Sequence, residues 1–354
     1  MPSPARVALI GYGLAGSLFH APFIAATQGL LLAAIVTRND ERRAAALRDH
    51  PDASILGTAE EIWAMADELD LVVVAAPNKA HVSLGLAALG AGLPVVVDKP
   101  LATNAPDGRA LVEEAHRRSL MLTVFQNRRW DGDFLTLRRL LESDELGRVS
   151  RLESRFERWR PEVADGWREQ AEEEGGVLLD LGSHLVDQVV SLFGPVRTVY
   201  GELDVRRPGG QVEDDVFVAL EHESGVRSHL WMSTVAAQPG PRFRVLGELA
   251  AYTKHGLDVQ EDALRDGRRP GGPDWGEEPR ELWGRLGVDG DLREVATERG
   301  AYGAFYEGVA RSLQDGVPPP VDPREAVDVL ELLDVARVSH EQRTVVVVER
   351  GIKT

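Results

Sequence analysis

A carboxylate and an imidazole lie four residues apart in the segment EGGVLLDLGSHLVDQVVSLFG, residues 174–194. If this segment is a helix, Asp180 and His184 share one face. An imidazole beside a carboxylate can transfer protons near neutral pH, so the pair is a candidate acid–base centre. Alternatively, Asp180 is a helix N-cap and His184 a hydrogen-bonded core histidine. Asp187, one turn further on, is expected to be structural.

Metal binding is a competing use of the same two side chains. The sequence has no cysteine and no H-E-x-x-H motif, and no second histidine stands at ligand spacing. Because protein metal sites of this type need three or four such ligands, we predict no metal site.

A lysine follows a run of valines in LPVVVDKPLATN, residues 93–104. Three consecutive valines predict a strand that is buried on both faces. Burying an ammonium is costly unless it has partners. Lys99 therefore either extends to water or supplies a placed positive charge at the end of this strand, and the segment alone leaves both interpretations open.

The segment GYGLAG places Gly11, Gly13 and Gly16 at the G-x-G-x-x-G spacing, after an apolar strand and at the start of a helix. In that context the glycines allow a tight turn and a close approach of backbone to a pyrophosphate, which rests on the helix N-terminus. We predict that this loop, with Leu14 and Ala15, binds a dinucleotide. The alternative is a simple tight turn.

The end of the second strand distinguishes NADP from NAD. Strands that bind NAD usually end in Asp or Glu, which holds the ribose 2′-hydroxyl. Here the strand ends Val36-Thr37-Arg38-Asn39, and the planar guanidinium of Arg38 can bind a 2′-phosphate. We therefore predict that Thr37 and Arg38 contact the cofactor and that it is NADP rather than NAD.

Three polar or turn-forming residues follow the strand at 70–77, in the segment AAPNKAH. Ligands of parallel sheets bind at the carboxyl ends of the strands, so Pro77, Asn78 and His81 are expected near the nicotinamide half of the cofactor. The alternatives are that Asn78 only starts a helix and that His81 is structural.

Two basic clusters stand out in an acidic chain, QNRRWDGDF (126–134) and ERWRPEVADGWRE (157–169). Amide and guanidinium donors beside aromatic rings suit a ligand rich in hydroxyl groups. The predicted substrate contacts are Asn127, Arg128, Trp159, Arg160 and Trp167, and Asn127 is also expected to contact the cofactor. Salt bridges to nearby glutamates are the alternative for the arginines.

The elements that must position these residues follow from the pattern of apolar runs. Six runs, at 6–11, 30–38, 53–56, 70–77, 94–100 and 120–126, alternate with helical segments. Such alternation predicts a doubly wound parallel sheet. After residue 127 the strands alternate with period 2 and are separated by turns, which predicts an α+β domain with a large, open, mainly antiparallel sheet.

The predicted organisation is therefore an α/β protein with a Rossmann domain at 1–126 and a substrate-binding and oligomerisation domain at 127–354. Residues 265–300 are rich in glycine, proline and charge and are expected to form a long surface excursion. A large sheet with one face uncovered by helices often becomes a subunit interface, so a homo-oligomer, a dimer or a tetramer, is expected.

Composition restricts the partners and the compartment. The 354 residues carry a net charge of −17, which argues against a nucleic-acid partner because that binding relies on basic surface. No apolar run approaches the roughly 18 residues of a membrane span. The absence of cysteine and of a leader-like N-terminus suits the cytoplasm. We predict a cytoplasmic protein with a small-molecule substrate and no membrane or nucleic-acid partner.

The segments VALIGYGLAGSLFHAPFI, VVVDKP and GGVLLDLGSHLVDQ together resemble the Gfo/Idh/MocA oxidoreductases, over essentially the whole chain. The family's E-K-P motif is similar to Asp98-Lys99-Pro100, and its downstream carboxylate and histidine match Asp180 and His184. Within the family, GYGLAGSLFHAPF, QNRRWDGDFLTL, RWRPEV, WRE and GSHLVDQ are most similar to the NADP-dependent scyllo-inositol dehydrogenases.

This resemblance implies a reaction, the oxidation of a ring secondary alcohol of a polyol or sugar to a ketone, or the reverse. It implies that Lys99 lies beside the nicotinamide and the reacting carbon, where it stabilises negative charge on the reacting oxygen. His184 is then the expected base, and Asp180 orients the substrate or tunes the imidazole. All three residues are expected to contact the substrate. Sequence leaves open whether Lys99 or His184 is the immediate proton carrier.

Other functions fit the same fold. One alternative is an NAD(P)-binding regulatory protein without catalysis, which the retention of Lys99 and His184 disfavours. Another is a family dehydrogenase that acts on a different sugar. A third is a sugar hydrolase that uses NAD transiently, which would accumulate no reduced cofactor.

Overall fold

The computed structural model describes residues 3–164 and 166–348. The chain folds into two compact units. Unit 1 comprises Met1–Trp130, Gln260–Trp275 and Ala301–Val327, and unit 2 comprises Asp131–Val259, Gly276–Gly300 and Asp328–Thr354. The chain therefore leaves unit 1 after Trp130 and returns to it twice. The division at residue 126 into separate folding domains stays a prediction.

The strands lie in two sheets, six in the sheet of unit 1 and nine in the sheet of unit 2. Their bounds are β1 (Ala5–Ile10), β2 (Leu30–Val36), β3 (Ser54–Leu56), β4 (Leu71–Val74), β5 (Val95–Asp98), β6 (Leu122–Phe125), β7 (Val149–Glu157), β8 (Val196–Asp204), β9 (Asp215–His222), β10 (Arg227–Ser233), β11 (Phe243–Gly247), β12 (Ala251–Lys254), β13 (Gly284–Val288), β14 (Asp291–Val295) and β15 (Val346–Val347).

Helices connect and flank these strands. The α-helices are α1 (Ala21–Ala26), α2 (Asp40–Asp49), α3 (Ala59–Ala64), α4 (His81–Gly90), α5 (Ala105–Arg118), α6 (Gly132–Glu142), α7 (Ser183–Phe193), α8 (Gln260–Arg265), α9 (Gly303–Asp315) and α10 (Pro323–Gln342). Two π-helical turns, Ala15–His20 and Leu178–Gly182, lead directly into α1 and α7.

The sheet of unit 1 is parallel throughout, in the order β3-β2-β1-β4-β5-β6. Each of the six predicted apolar runs overlaps one of these strands, which confirms the doubly wound sheet. The strand order reverses between β1 and β4, and in such sheets ligands bind at the carboxyl ends of the strands at this reversal.

The core of unit 1 is built from strands covered on both faces and closed by a late helix. Leu9, Val73 and Val96 are fully buried in the sheet. The ring of Phe305, on α9, lies 4.9 Å from that of Phe125 in an edge-to-face arrangement, which is worth about 0.5–1.5 kcal/mol beyond burial. Residues more than 170 positions apart in the chain therefore share one core.

The sheet of unit 2 is mixed, in the order β14-β13-β12-β11-β7-β10-β9-β8-β15. In this sheet the neighbouring strands β7 and β10 run parallel, and every other pair of neighbouring strands is antiparallel. Residues of β9 alternate between buried and half-buried positions, as the period-2 pattern predicts. The large, mainly antiparallel sheet is confirmed.

The segment 265–300 differs from its predicted form. Instead of a surface excursion throughout, it includes β13 and β14, a hairpin at the edge of the nine-stranded sheet. The turn is Asp289-Gly290, with Gly290 at φ +84°, and Asp-Gly is a typical two-residue hairpin turn. Four of the five residues of β14 are exposed, so this edge strand lacks the apolar alternation by which strands are recognised.

By length and composition the segment Ala171–Phe193 could span a membrane, contrary to the expectation that no apolar run approaches that length. Most of it is buried inside the protein. A buried core helix of unit 2 accounts for this composition.

Candidate active site

The glycine-rich loop after β1 has two positions where only glycine fits. Gly11 lies at φ +104°, and a Cβ there would lie 2.3 Å from the carbonyl oxygen of Ala75. A Cβ on Gly16 would lie 2.0 Å from the oxygen of Gly11. At Gly13, by contrast, the nearest atoms belong to the flexible guanidinium of Arg42, at 3.5 Å. The loop is thus packed against backbone at Gly11 and Gly16, whereas only a flexible side chain lies beside Gly13, which fits a dinucleotide approaching the backbone there.

The loop continues into a π-helical turn rather than directly into an α-helix. Leu14 is 45% exposed, and the turn Ala15–His20 begins at the next residue. π-helical turns occur frequently at functional sites. The turn ends at His20, which is fully buried.

The end of β2 presents the two predicted cofactor residues differently. Thr37 is buried, and its N–H donates to Leu56 O at 3.0 Å. Arg38 is exposed. The pKa of Glu60 is lowered mainly by backbone and Thr58 hydrogen bonds, with a smaller effect of Arg38, so this guanidinium is near the start of α3.

Arg42 is a second guanidinium at this end of the sheet, and sequence reasoning missed it. Asn39 caps α2 by accepting the Arg42 N–H at 2.9 Å, which fixes the start of the helix. The cap places Arg42 on the first turn, beside Gly13. The Asn-Asp-Glu-Arg sequence is the signal that could have found it, because it locates the helix start.

Behind the end of β4, His81 joins two strand ends. Its ring is fully buried, with Nδ1 at 2.7 Å from Pro100 O and Nε2 at 2.9 Å from Ala76 O. Burial lowers the pKa of His81, although the two carbonyls and Asp98 oppose this. Its observed contacts are with backbone, while Asn78 is buried and Pro77 exposed. Cofactor contact by these three residues stays a prediction.

Lys99 directly follows the last residue of β5. The carboxylate of Asp98 accepts the Lys99 N–H at 2.8 Å, and the Lys99–Pro100 peptide is cis. Behind the carboxylate, His20 Nε2 lies 3.6 Å from Asp98 Oδ1, and His20 Nδ1 lies 2.5 Å from the hydroxyl of Tyr306. Sequence reasoning identified neither His20 nor Tyr306, because their approach depends on a helix that joins the sheet late in the chain.

Asp98 is held as a carboxylate by its surroundings. Burial alone would raise its pKa, but His20, Lys99 and His81 outweigh burial and keep the pKa below its usual value.

Asn127 and Arg128 begin a 3₁₀ turn after β6 and are both buried. The guanidinium of Arg128 donates to Glu261 at 2.6 Å and to the Tyr302 hydroxyl at 2.9 Å. Burial would raise the pKa of Glu261, but Arg128 and Arg265 lower it to about 2. Arg128 thus makes the salt bridge that was its alternative role, and its contact with substrate stays a prediction.

In unit 2, Asp180 lies within the π-helical turn Leu178–Gly182, and His184 lies in the first turn of α7. Asp180 does not cap α7; its carboxylate accepts from Arg168 Nε at 3.3 Å. The ring of His184, 5% exposed, lies 6.5 Å from that of Phe156.

The start of this π-helical turn is fixed by a residue that sequence reasoning missed. Gly176 lies at φ +105°, and a Cβ there would lie 2.3 Å from Glu213 Oε1. The same carboxylate accepts the Leu178 N–H at 3.3 Å. Burial raises the pKa of Glu213.

A buried arginine anchors α7 to the sheet of unit 2. Arg242, 2% exposed, donates to Gln188 Oε1 at 2.6 Å and to Ser154 Oγ at 2.5 Å. Its guanidinium also lies 3.5 Å from Asp133 and 4.1 Å from the ring centroid of Phe243. Because Gln188 is one turn after His184, this anchor fixes the helix that carries the histidine. Asp187 is buried.

The remaining predicted substrate residues of unit 2 follow β7. Trp159 is 56% exposed, and the backbone of Arg160 donates to Thr234 O at 2.7 Å. Trp167 begins a 3₁₀ turn, and its side chain lies outside the described part of the structure. Nearby, the buried Arg207 pairs with Glu169 at 2.6 Å.

Metal-ligating side chains are not clustered in the part of the chain that the structure describes. Within residues 3–164 and 166–348, no group of three or more His, Cys, Asp or Glu side chains is arranged to hold a metal ion.

Comparison with known proteins matches both parts of the chain to one family. Residues 5–126 match the oxidoreductase family with an NAD-binding Rossmann fold, and residues 134–253 match the GFO/IDH/MocA C-terminal domain. The chain is 32% identical to scyllo-inositol 2-dehydrogenase (NADP(+)) of Bacillus subtilis, over 97% of this chain and 96% of that protein.

Two further relatives extend this similarity. An uncharacterized oxidoreductase of Escherichia coli is 39% identical, over 96% of this chain and 97% of its own. A solved structure from Yersinia pestis is 37% identical and covers 99% of both chains, with a TM-score of 0.91.

Proposed function

Because the chain belongs to the GFO/IDH/MocA oxidoreductase family, we propose that it is an NADP-dependent dehydrogenase of a polyol or sugar. The proposed reaction converts a ring secondary alcohol to a ketone, or the reverse, with scyllo-inositol as the first candidate substrate. The observation that carries this proposal is the position of Lys99, directly after the carboxyl end of β5, in the unit whose sheet also carries the glycine loop after β1.

The residues that would hold the cofactor belong to unit 1. The loop backbone from Gly11 to Gly16 would bind the pyrophosphate, and Arg38 would bind the 2′-phosphate that distinguishes NADP. The remaining proposed contacts are Leu14, Ala15, Thr37, Pro77, Asn78, His81, Lys99 and Asn127. When bound, the nicotinamide accepts or donates the hydride. The lack of backbone contact beside Gly13 and the absence of a carboxylate at the tip of β2 support this assignment.

The protein's own side chains would handle the proton and the charge. Lys99 would donate a hydrogen bond to the reacting oxygen and stabilise the negative charge that develops on it. His184 would accept the hydroxyl proton at a ring nitrogen as the carbon loses its hydride, and Asp180 would orient the substrate. In the reducing direction His184 would return the proton. Asn127, Arg128, Trp159, Arg160 and Trp167 are the proposed further substrate contacts.

The first test is the near-ultraviolet absorbance of reduced cofactor when purified protein is mixed with NADP⁺ and scyllo-inositol. NAD⁺ and a panel of other polyols and sugars run beside it. We expect turnover that is faster with NADP⁺ than with NAD⁺. Turnover of another sugar alone would retain the reaction and reject the inositol. No turnover despite tight NADP binding would favour a regulatory protein instead.

We also propose that the protein is a cytoplasmic homo-oligomer, a dimer or a tetramer. The support is one face of the nine-stranded sheet, where half-buried Phe217 and Trp231 lie 5.0 Å apart and Arg155 lies 4.0 Å from the Trp231 ring centroid. Light scattering should give a mass of two or four times 38.7 kDa. A single-chain mass would contradict the proposal.

A further inference from the structure

Asp98, which precedes Lys99, has a buried partner, His20, to which the proposed reaction assigns no role. His20 is fully buried, with its ring centroid 4.5 Å from that of Phe125. Its two ring nitrogens face two different groups, the Tyr306 hydroxyl at 2.5 Å and the Asp98 carboxylate at 3.6 Å. A polar ring in an aromatic core needs such partners to offset desolvation.

The geometry fixes which nitrogen of His20 carries the proton. A hydroxyl both donates and accepts, whereas a carboxylate only accepts. The proton of a neutral ring therefore belongs on Nε2, facing Asp98, and Tyr306 donates to Nδ1. Burial and Asp98 raise the pKa of Tyr306 well above its usual value, so the phenol keeps the proton that this donation requires. The 3.6 Å separation is longer than a hydrogen bond, so the contact with Asp98 is mainly electrostatic.

Asp98 connects this pair to Lys99. Its Oδ1 accepts the Lys99 N–H at 2.8 Å, and the groups that face the carboxylate come from every side: His20 from the π-helical turn, Tyr306 from α9, His81 from α4 and Lys99 itself. Without His20 the carboxylate would lose the ring nitrogen that lies 3.6 Å from it, and the side chain that holds the Lys99 N–H would be less restrained.

We infer that His20 is a positioning residue for Lys99: oriented by Tyr306, it restrains the side chain of Asp98, and Asp98 in turn holds the backbone N–H of Lys99. The role assigned to Lys99 in turnover rests on the proposed function, but the effect on its amine does not. The π-helical turn therefore links the glycine loop to the lysine, since His20 ends the turn that the loop begins.

The test measures the Lys99 amine directly, in protein without cofactor or substrate. The sequence has only four lysines, Lys79, Lys99, Lys254 and Lys353, so the rate of acetylation of each is measurable by mass spectrometry. The readout is the Lys99 rate divided by that of the exposed Lys79. In His20→Phe we expect this ratio to rise about tenfold at neutral pH, because an amine whose backbone is less restrained meets the reagent more often.

Two milder variants keep the inference testable if His20→Phe does not fold. His20→Gln retains an amide donor toward Asp98 and should stay within about threefold of wild type. Tyr306→Phe keeps the ring and removes only the hydroxyl, so the ratio should rise, but by less than in His20→Phe. A folded His20→Phe, or a Tyr306→Phe, with an unchanged ratio would overturn the inference.

The matched control is His222→Gln, which alters a fully buried histidine of unit 2 that contacts Gly194 O and Ser228 Oγ. Its ratio should match wild type; an equal rise there would indicate general loosening and overturn the inference. Turnover adds a separate readout: kcat of His20→Phe should fall at least tenfold while KM for NADP changes less than twofold. A changed labelling ratio without any dehydrogenase activity would reject the proposed function and retain the inference.

Discussion

Lys99 in unit 1 and Asp180 in unit 2 are both charged residues proposed to act on one substrate, yet they are held in different ways. Lys99 follows a buried strand, and Asp98 and His81 fix the backbone on both sides of it. The side chain of Asp180 is 26% exposed on a π-helical turn, and that of Arg168, which donates to it, is 43% exposed. Exposed ion pairs contribute little, typically 0–1 kcal/mol. The rigid part of the candidate chemistry is therefore at the strand end.

Substitution should therefore cost more activity at the strand end of unit 1 than on the turn of unit 2. A side chain whose surroundings are fixed before substrate arrives acts without reorganisation, which is the basis of electrostatic catalysis. A side chain that is partly exposed, as that of Asp180 is, can adapt to different substrates. The residues of unit 1 would then determine the reaction, and those of unit 2 would determine which substrate is preferred.

The largest expected effect tests the fixed side of this comparison. Lys99→Ala should lower kcat by on the order of a thousandfold, because a preorganised donor to the reacting oxygen is lost. Steady-state kinetics and cofactor binding would be measured together. Dissociation of NADP should change little, and near-normal turnover would show that the strand end is not the rigid catalytic part.

The second effect, in unit 2, should be smaller. His184→Ala should lower kcat by roughly a hundredfold, the usual range for loss of a proton-transfer group, and added imidazole should restore part of the rate. A loss larger than that of Lys99→Ala would reverse the comparison.

A third substitution compares two positions within the glycine loop, Gly11 and Gly13. Gly11→Ala should lower the free energy of unfolding by about 1–3 kcal/mol, because the new Cβ would meet Ala75 O at 2.3 Å at a φ of +104°. Gly13→Ala is the matched control, since its Cβ meets no backbone. Urea denaturation should show little change there, while NADP binding weakens. Equal stability losses would mean that the two glycines are held alike.

The smallest expected effect concerns an exposed residue of unit 1. Arg38→Ala should raise KM for NADP about tenfold, a loss of about 1.4 kcal/mol, and leave KM for NAD within twofold. Arg42→Ala, measured in parallel, shows whether the neighbouring guanidinium shares this selectivity. Equal changes for the two cofactors would remove Arg38 from recognition of the 2′-phosphate.

Prediction from sequence worked best where chain order and spatial order coincide. The ends of β1, β2, β4 and β5 meet at one edge of a parallel sheet, so alternating apolar runs were enough to predict the sheet and to group its strand-end residues. The contact of His20 with Tyr306 was not predictable, because 285 intervening residues separate the two and only packing joins them. The β13–β14 hairpin was missed because an exposed edge strand carries no apolar period.

The late return of the chain to unit 1 has a consequence for synthesis on the ribosome. Phe305, Tyr306 and Val309 of α9 are fully buried in the core of unit 1, yet they emerge about 180 residues after β6. At about 5–20 residues per second, translation of this interval lasts on the order of ten to forty seconds. During that time the nascent sheet lacks its covering helix, so its apolar face is open to chaperones. A transcript truncated after β6 should accordingly yield an aggregation-prone product rather than a smaller stable protein.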